Sequence, residues 1–281
     1  MTGGVDANAA LLYFDLMKQC LTYSIWGEPM HPVEAADIGS RWKRMLFPFI
    51  ADWLATREVF LVRDPHFDPA VRAEGRDHPL LGHTMIGLRR LDNLQFCIQD
   101  VLEKNIPGDL IETGVWRGGA TIFMRAVLKG CGVTDRTIWV ADSFEGLPRP
   151  NPALYPADFG DTHHTMPHLA VSLEEVKENF AKYNLLDSQV QFLEGWFRDT
   201  LPAAPIETLA VMRLDGDMYE STMDALTHLY PKLSVGGYVI IDDYGYTESC
   251  RRAVNDFRHD GGIDDALRAI DRDGVYWQRS R

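Results

Sequence analysis

Residues 209–244, LAVMRLDGDMYESTMDALTHLYPKLSVGGYVIIDDY, admit few arrangements. An apolar run ends in an acid, Asp215, and a helix-like segment follows from about Glu220. Gly236 and Gly237 then interrupt the chain, and a second apolar run, 238–241, ends in Asp242 and Asp243. Strand, helix and strand in so short a stretch make a βαβ unit, with parallel strands and a right-handed crossover. If the two strands are neighbours, their carboxyl ends lie side by side. Asp215, Asp242 and Asp243 then meet at the edge where open α/β sheets bind ligands. Three carboxylates gathered there repel one another unless a positive group sits between them. That spacing points to a divalent cation such as Mg²⁺ held by oxygen ligands. The other reading of each acid is a helix cap or a surface salt bridge.

The same alternation recurs upstream. Leu110 and Ile111 form a short strand ending at Glu112, and residues 113–119, TGVWRGG, make a glycine-bearing turn into a helix over 120–128. A second strand, 137–141, ends at Asp142. Ser172 and Glu175 have the spacing of a capping box, which predicts a helix over 173–183. A third strand, 190–193, precedes Trp196, and a helix is expected over 249–259. Residues 267–270 and 275–278 flank Asp273-Gly274, a hairpin signal. The pattern predicts an α/β doubly wound sheet with an antiparallel last strand, occupying 84–281. Helical periodicity over residues 88–101, stopped by Pro107-Gly108, leads into it.

Residues 1–83 form a helical extension or cap. Residues 1–8 are expected to be disordered. Helices follow over 9–22 and 38–56, the second kinked or split by Pro48. Their aromatic stripes form an oligomer surface or simply bury in the core. Residues 57–83 are expected to be loop. The irregular stretch 148–170 carries His163, His164 and His168, and long segments of this kind are often lids.

The formal net charge of −13 argues against nucleic acid as a partner. No apolar run has the length of a membrane span, and the first residues lack a signal pattern. Cys20, Cys97, Cys131 and Cys250 have no C-x-x-C spacing, which fits free thiols and a cytoplasmic location.

Three positions bear on ligand chemistry. The turn after Glu112 fails the dinucleotide fingerprint, because Trp116 stands where a second glycine should follow Gly114. That counts against a nicotinamide dehydrogenase. The carboxylate of Glu112 suits a cationic ligand such as a sulfonium, unless the stretch is a plain strand-to-helix turn. Asp142 has the position to accept the two ribose hydroxyls of an adenosine; otherwise it is a cap or surface acid. Trp196 stands where an adenine can stack, or is core.

Taken together these blocks resemble the class I S-adenosylmethionine-dependent methyltransferases, and more narrowly the macrocin O-methyltransferase family. The likeness runs through HTMIGLRRLDNLQFCIQDVL, GDLIETGVWRGGATIFMRAVL, VADSFEGLP, FLEGWFRDTLP, MRLDGDMYESTMDAL and GGYVIIDDYG, with no departure in the core motifs. It implies a Rossmann-like methyltransferase fold and methyl transfer from S-adenosylmethionine to a deoxysugar hydroxyl of a glycosylated antibiotic of macrolide or aminocoumarin type. The implied acceptor is a small-molecule glycoside and the implied assembly a homo-oligomer. By this likeness Asp215, Asp242 and Asp243 hold Mg²⁺. Met85, Glu112, Thr113, Gly114, Asp142 and Ser143 contact the methyl donor. The proton goes to Asp217 or Asp215, with His163 or His164 behind them. A metal-dependent catechol-type methyltransferase shares this chemistry and is the alternative.

Overall fold

The computed structural model describes residues 7–281. Of the stretch expected to be disordered, residues 1–6 lie outside the described residues, while Ala7 and Asn8 already belong to helix α1 (Ala7–Leu21). A two-residue strand β1 (His31–Pro32) precedes α2 (Arg41–Ala55), which passes through Pro48 as one helix. The segment expected to be loop contains β2 (Val62–Arg63), paired antiparallel with β1, and α3 (Pro69–Ala73). The helix forms because Asp68 accepts a hydrogen bond from the Ala70 amide at 2.8 Å while Pro69 opens the first turn. Helix α4 (Gly87–Glu103) then leads to the sheet.

The sheet is built from β3 (Asp109–Thr113), α5 (Gly119–Gly130), β4 (Ile138–Asp142), α6 (Leu173–Lys182), β5 (Val190–Glu194), α7 (Phe197–Thr200), β6 (Leu209–Leu214), α8 (Tyr219–Leu229), β7 (Leu233–Ile241), α9 (Glu248–Asp260), β8 (Arg268–Ala269) and β9 (Val275–Gln278). Its order is β5-β4-β3-β6-β7-β9-β8. The five strands from β5 to β7 are parallel, and β9 returns antiparallel to β7 with β8 beside it. The chain winds outward from β3 in one direction and from β6 in the other. The boundary between β3 and β6 is therefore the topological switch point, where ligands bind at the carboxyl ends.

Gly236 and Gly237 do not break the chain. They lie inside β7, where pairing with β6 jumps from Leu209↔Leu233 to Val211↔Tyr238. The backbone absorbs the extra residues with Gly236 at φ +88°.

Side-chain alternation sorts the core onto two faces. Leu110, Val140, Val211 and Ile240 pack with Leu94 and Ile98 of α4 and with Phe123 of α5. Ile111, Trp139, Met212, Val239 and Ile241 pack with Leu226 and Leu229 of α8 and Val254 of α9. Phe14, Met17 and Leu21 of α1 join the first cluster, against α5. Helix α2 buries no residue; Trp42, Met45, Phe49 and Trp53 stand exposed.

The strand ends approach very closely at the switch point. The Asp215 amide donates to Thr113 O at 2.9 Å, and a Cβ placed on Gly114 would fall 1.7 Å from Asp215 O. Gly114 also holds φ +80°, where other residues are strained. Gly114→Ala should therefore cost on the order of 2–4 kcal/mol in denaturant unfolding. Unchanged stability would mean that the two strand ends are not held this close.

Candidate active site

A cavity opens at the carboxyl edge of the sheet. It is lined by Met85, Gly114, Asp142, Ser143, Trp196, Asp215 and Asp217, seven of the residues singled out from the sequence. Trp116, Leu147, Pro148 and Leu169 also line it, as do Phe197, Arg198, Glu220, Ser221 and Asp224. Glu112, Thr113, Asp242 and Asp243 do not line it; they are buried behind it.

Behind the cavity wall lies a buried guanidinium that the sequence reading did not include. Arg213 is 1% exposed on β6, between two parallel strands. Its Nη1 bonds Glu112 and also reaches Asp215 Oδ2 at 3.0 Å, and its Nη2 bonds Asp242. A second guanidinium, Arg90 of α4, bonds Asp242 from the other side and donates to Asp271 Oδ2 at 2.8 Å. The signals were present: Arg213 interrupts the apolar run VMRL, and Arg90 falls on the helix face of Ile86 and Leu94. The positive charge expected among the acids is thus partly supplied by the protein. Glu112 is turned away from any cationic ligand, because Arg213 takes its carboxylate.

An acid surplus remains. Arg90 and Arg213, with Arg272 beside Asp273 at 3.4 Å, stand among seven carboxyls: Glu112, Asp215, Asp217, Asp242, Asp243, Asp271 and Asp273. Burial pushes Glu112 up to about 8. Burial, and next Asp242, push Asp215 up to about 6; burial, and next Asp215, push Asp217 up to about 7. Burial, with Asp217 and Asp215 after it, holds Asp243 well above the usual carboxylate range. One oxygen from each of Asp215, Asp242 and Asp243 lies within 4.8 Å of the others. An all-carboxylate set with excess negative charge fits a hard divalent cation such as Mg²⁺.

Asp217 has a different setting. Its backbone is left-handed at φ 54°, held by its amide donating to Asp243 Oδ2 at 3.1 Å and by Thr247 Oγ1 donating to its carbonyl at 2.6 Å. Among the described residues no group donates a hydrogen bond to its carboxyl. That carboxyl faces the cavity free to take a proton.

On the nucleoside side, Asp142 Oδ2 accepts from the Val115 amide at 2.7 Å and Oδ1 from the Phe144 amide at 2.8 Å. Ser143 Oγ also donates to Oδ1, at 3.4 Å, so a ligand hydroxyl would meet a carboxylate already fixed in place. Trp116, whose place spoils the dinucleotide spacing, lines the cavity, and its Nε1 donates to His168 O at 2.8 Å. The glycine turn is thereby tied to the 148–170 segment. That segment is pinned a second time by Asp158, fully buried, which caps α8 through the Tyr219 amide at 2.7 Å and the Glu220 amide at 3.1 Å. His163 pairs with Asp161 at 2.7 Å, and neither His163 nor His164 lines the cavity.

A model of the family described as Macrocin-O-methyltransferase (TylF) matches residues 10–279. The chain is 51% identical over 271 residues to demethyldecarbamoylnovobiocin O-methyltransferase of Streptomyces niveus, covering 96% of this chain and 94% of that one. It is 49% identical over 274 residues to 8-demethyl-8-(2,3-dimethoxy-alpha-L-rhamnosyl)-tetracenomycin-C 4'-O-methyltransferase of Streptomyces olivaceus, covering 97% and 94%. Among solved structures, the O-methyltransferase NovP superposes with a TM-score of 0.83 at 49% identity, covering 97% of this chain and 100% of that one.

The guanidinium layer can be tested without substrate. Arg213→Met leaves Glu112 and Asp242 facing each other without their shared cation, and should cost about 3–5 kcal/mol in denaturant unfolding. Adding Glu112→Gln to that variant should restore part of the loss. If the double variant is less stable than the single one, the ion pair is not what the arginine supplies.

Proposed function

The chain belongs to the macrocin O-methyltransferase family, and from that premise we propose that it transfers the methyl group of S-adenosylmethionine to a deoxysugar hydroxyl of a glycosylated natural product. The acceptor class is an antibiotic precursor of macrolide or aminocoumarin type. The observation that carries this reading is one cavity that joins Asp142, Trp196 and Gly114 to Asp215 and Asp217, with the Asp215, Asp242 and Asp243 oxygens converging at its wall. The relatives named for a novobiocin precursor and for a rhamnosyl-tetracenomycin support the acceptor class.

Asp142 takes the ribose hydroxyls, Trp196 covers the adenine, and the backbone at Gly114 admits the sulfonium end. Met85 and Ser143 complete that wall, while Glu112 and Thr113 support it from behind. The acceptor hydroxyl oxygen attacks the methyl carbon in line with the sulfur. The carbon–sulfur bond breaks with its electron pair going to sulfur, leaving S-adenosylhomocysteine. The hydroxyl proton passes to the Asp217 carboxylate, which faces the cavity with no donor of its own. Asp215, Asp242 and Asp243 would hold Mg²⁺, which when bound supplies Lewis acidity and orientation for adjacent sugar hydroxyls. Holding oxygen and methyl carbon in contact is most of the remaining catalytic work.

We also infer a cytoplasmic, self-associating enzyme. Free cysteines support the first part, as does the lack, among the described residues, of a helix long and apolar enough to cross a membrane. The second part is supported by the α2 face, where Trp42, Met45, Phe49 and Trp53 stand exposed. A second copy of the same face would bury them. Sedimentation equilibrium should show a dimer or larger, and Phe49→Glu with Trp53→Glu should shift it to monomer; a monomeric native chain would sink this part.

Activity is tested by mass spectrometry on demethylated glycosides, the expected product being heavier by one CH₂. Asp217→Asn should lower kcat by about 10²–10⁴ with S-adenosylhomocysteine affinity unchanged. Asp243→Asn, or excess chelator, should abolish turnover and remove any Mg²⁺-dependent rise in Tm. Full turnover in chelator would rule out the metal.

A further inference from the structure

Two carboxyls of the cavity lining, Glu220 and Asp224, are used neither by the metal set, nor by proton transfer, nor by the ribose. Asp224, on the second turn of α8, lines the cavity, as Trp196 and Phe197 do, with the Arg198 guanidinium near enough to act on its charge. Glu220, one turn earlier, is buried and holds Arg198 Nη1 at 3.1 Å. Among the described residues no group donates a hydrogen bond to the Asp224 carboxyl. Burial, and next the charge of Glu220, push it up to about 6. A donor arriving with a ligand would relieve both.

We propose that Asp224 selects the methyl donor by accepting a hydrogen bond from the exocyclic amine of its adenine. This rests on the S-adenosylmethionine reading of the cavity. Position supports it first. Helix α7 begins directly after Trp196 and packs on α8. Asp224 therefore belongs to the Trp196 end of the cavity, while Asp215 and Asp217 occupy the loop that leaves β6. Chemistry supports it second. Trp196 and Phe197 offer flat apolar surface to a base. The same lining carries a donor-only guanidinium, Arg198, and an acceptor-only carboxylate, Asp224. Adenine presents the matching pair on its Watson–Crick edge, an acceptor ring nitrogen beside a donor amine. Hypoxanthine reverses both groups and sets a keto oxygen against the carboxylate.

The test is calorimetry with S-adenosylhomocysteine and with S-inosylhomocysteine, its hypoxanthine counterpart. The native chain should prefer the adenine compound by at least about tenfold, since an acceptor covered by the bound base and left facing another acceptor is costly. Asp224→Ala should weaken S-adenosylhomocysteine about tenfold and erase most of that preference. Asp224→Asn, whose amide also donates, should bind the inosyl compound better than the native chain does. The acceptor KM at saturating donor should not move. Native preference retained in Asp224→Ala would overturn the proposal. So would a raised acceptor KM with unchanged donor affinity, which assigns Asp224 to the sugar instead. If the native chain binds neither compound, the donor reading itself fails and takes this proposal with it.

Discussion

The guanidinium of Arg213 sets the terms for everything above it. A charge on a central parallel strand, covered on both faces, survives only if it is paired and hydrogen-bonded. Its partners come from three strand ends: Glu112 opposite it on β3, Asp242 just beyond β7, and Asp215 two residues along its own chain. The carboxyl edge of the sheet is therefore tied laterally by charge as well as by backbone ladders. Arg90 extends the layer from α4 to Asp271 and Asp273 in the turn between β8 and β9. The apolar core of the sheet stops at this layer, and the cavity opens beyond it.

That layer is incompletely neutralised. Each guanidinium already meets three carboxylates, yet among the described residues Asp217 and Asp243 carry no guanidinium partner. Acid surplus of this kind weakens the bare fold and favours cationic ligands. On the proposed reading two such ligands arrive at one edge, a divalent metal and a sulfonium. Only the sulfonium loses its charge in the reaction. An acidic wall then holds the donor more strongly than it holds the neutral thioether product, which favours exchange after each turnover.

How legible was this from the chain alone? The strands were visible because each apolar run ends in an acid or a glycine, and the final hairpin because Asp273-Gly274 separates two short β-prone runs. The convergence of Asp215, Asp242 and Asp243 followed from one local βαβ unit, which needs no knowledge of the remaining sheet. What stayed hidden depends on non-local register. Glu112 and Arg213 meet only because β3 and β6 pair, so the local sequence showed an acid at a strand end and not its orientation. Trp116 read as a defect in a nucleotide fingerprint, since its left-handed backbone and its bond to His168 become apparent only in the folded loop. Helix α3 is hidden for a different reason: it lies among Pro65, Pro69 and Pro79, whose density reads as loop, and only the Asp68-Pro69 step marks its start.

The distribution of backbone strain bears on why the proposed proton acceptor is an aspartate on a loop. Trp116, Phe144 and Asp217 all hold positive φ, and each lies in a loop just beyond a strand of the parallel sheet. Non-glycine residues in that region cost about 1 kcal/mol or more apiece and persist only where the surroundings over-determine them. Here the ladder does so, continuing past the strands through Gly114 N to Ala141 O and Asp242 N to Leu214 O, both at 2.9 Å. At Asp217 both backbone polar groups are taken, by Asp243 and Thr247, so the side chain is not needed to fix the loop. A carboxylate relieved of structural duty, desolvated and flanked by other acids, binds a proton more tightly than a surface aspartate does. A short side chain on a rigid, strained turn also leaves little rotamer freedom to lose when the hydroxyl arrives, which a longer base on the 148–170 segment would not offer.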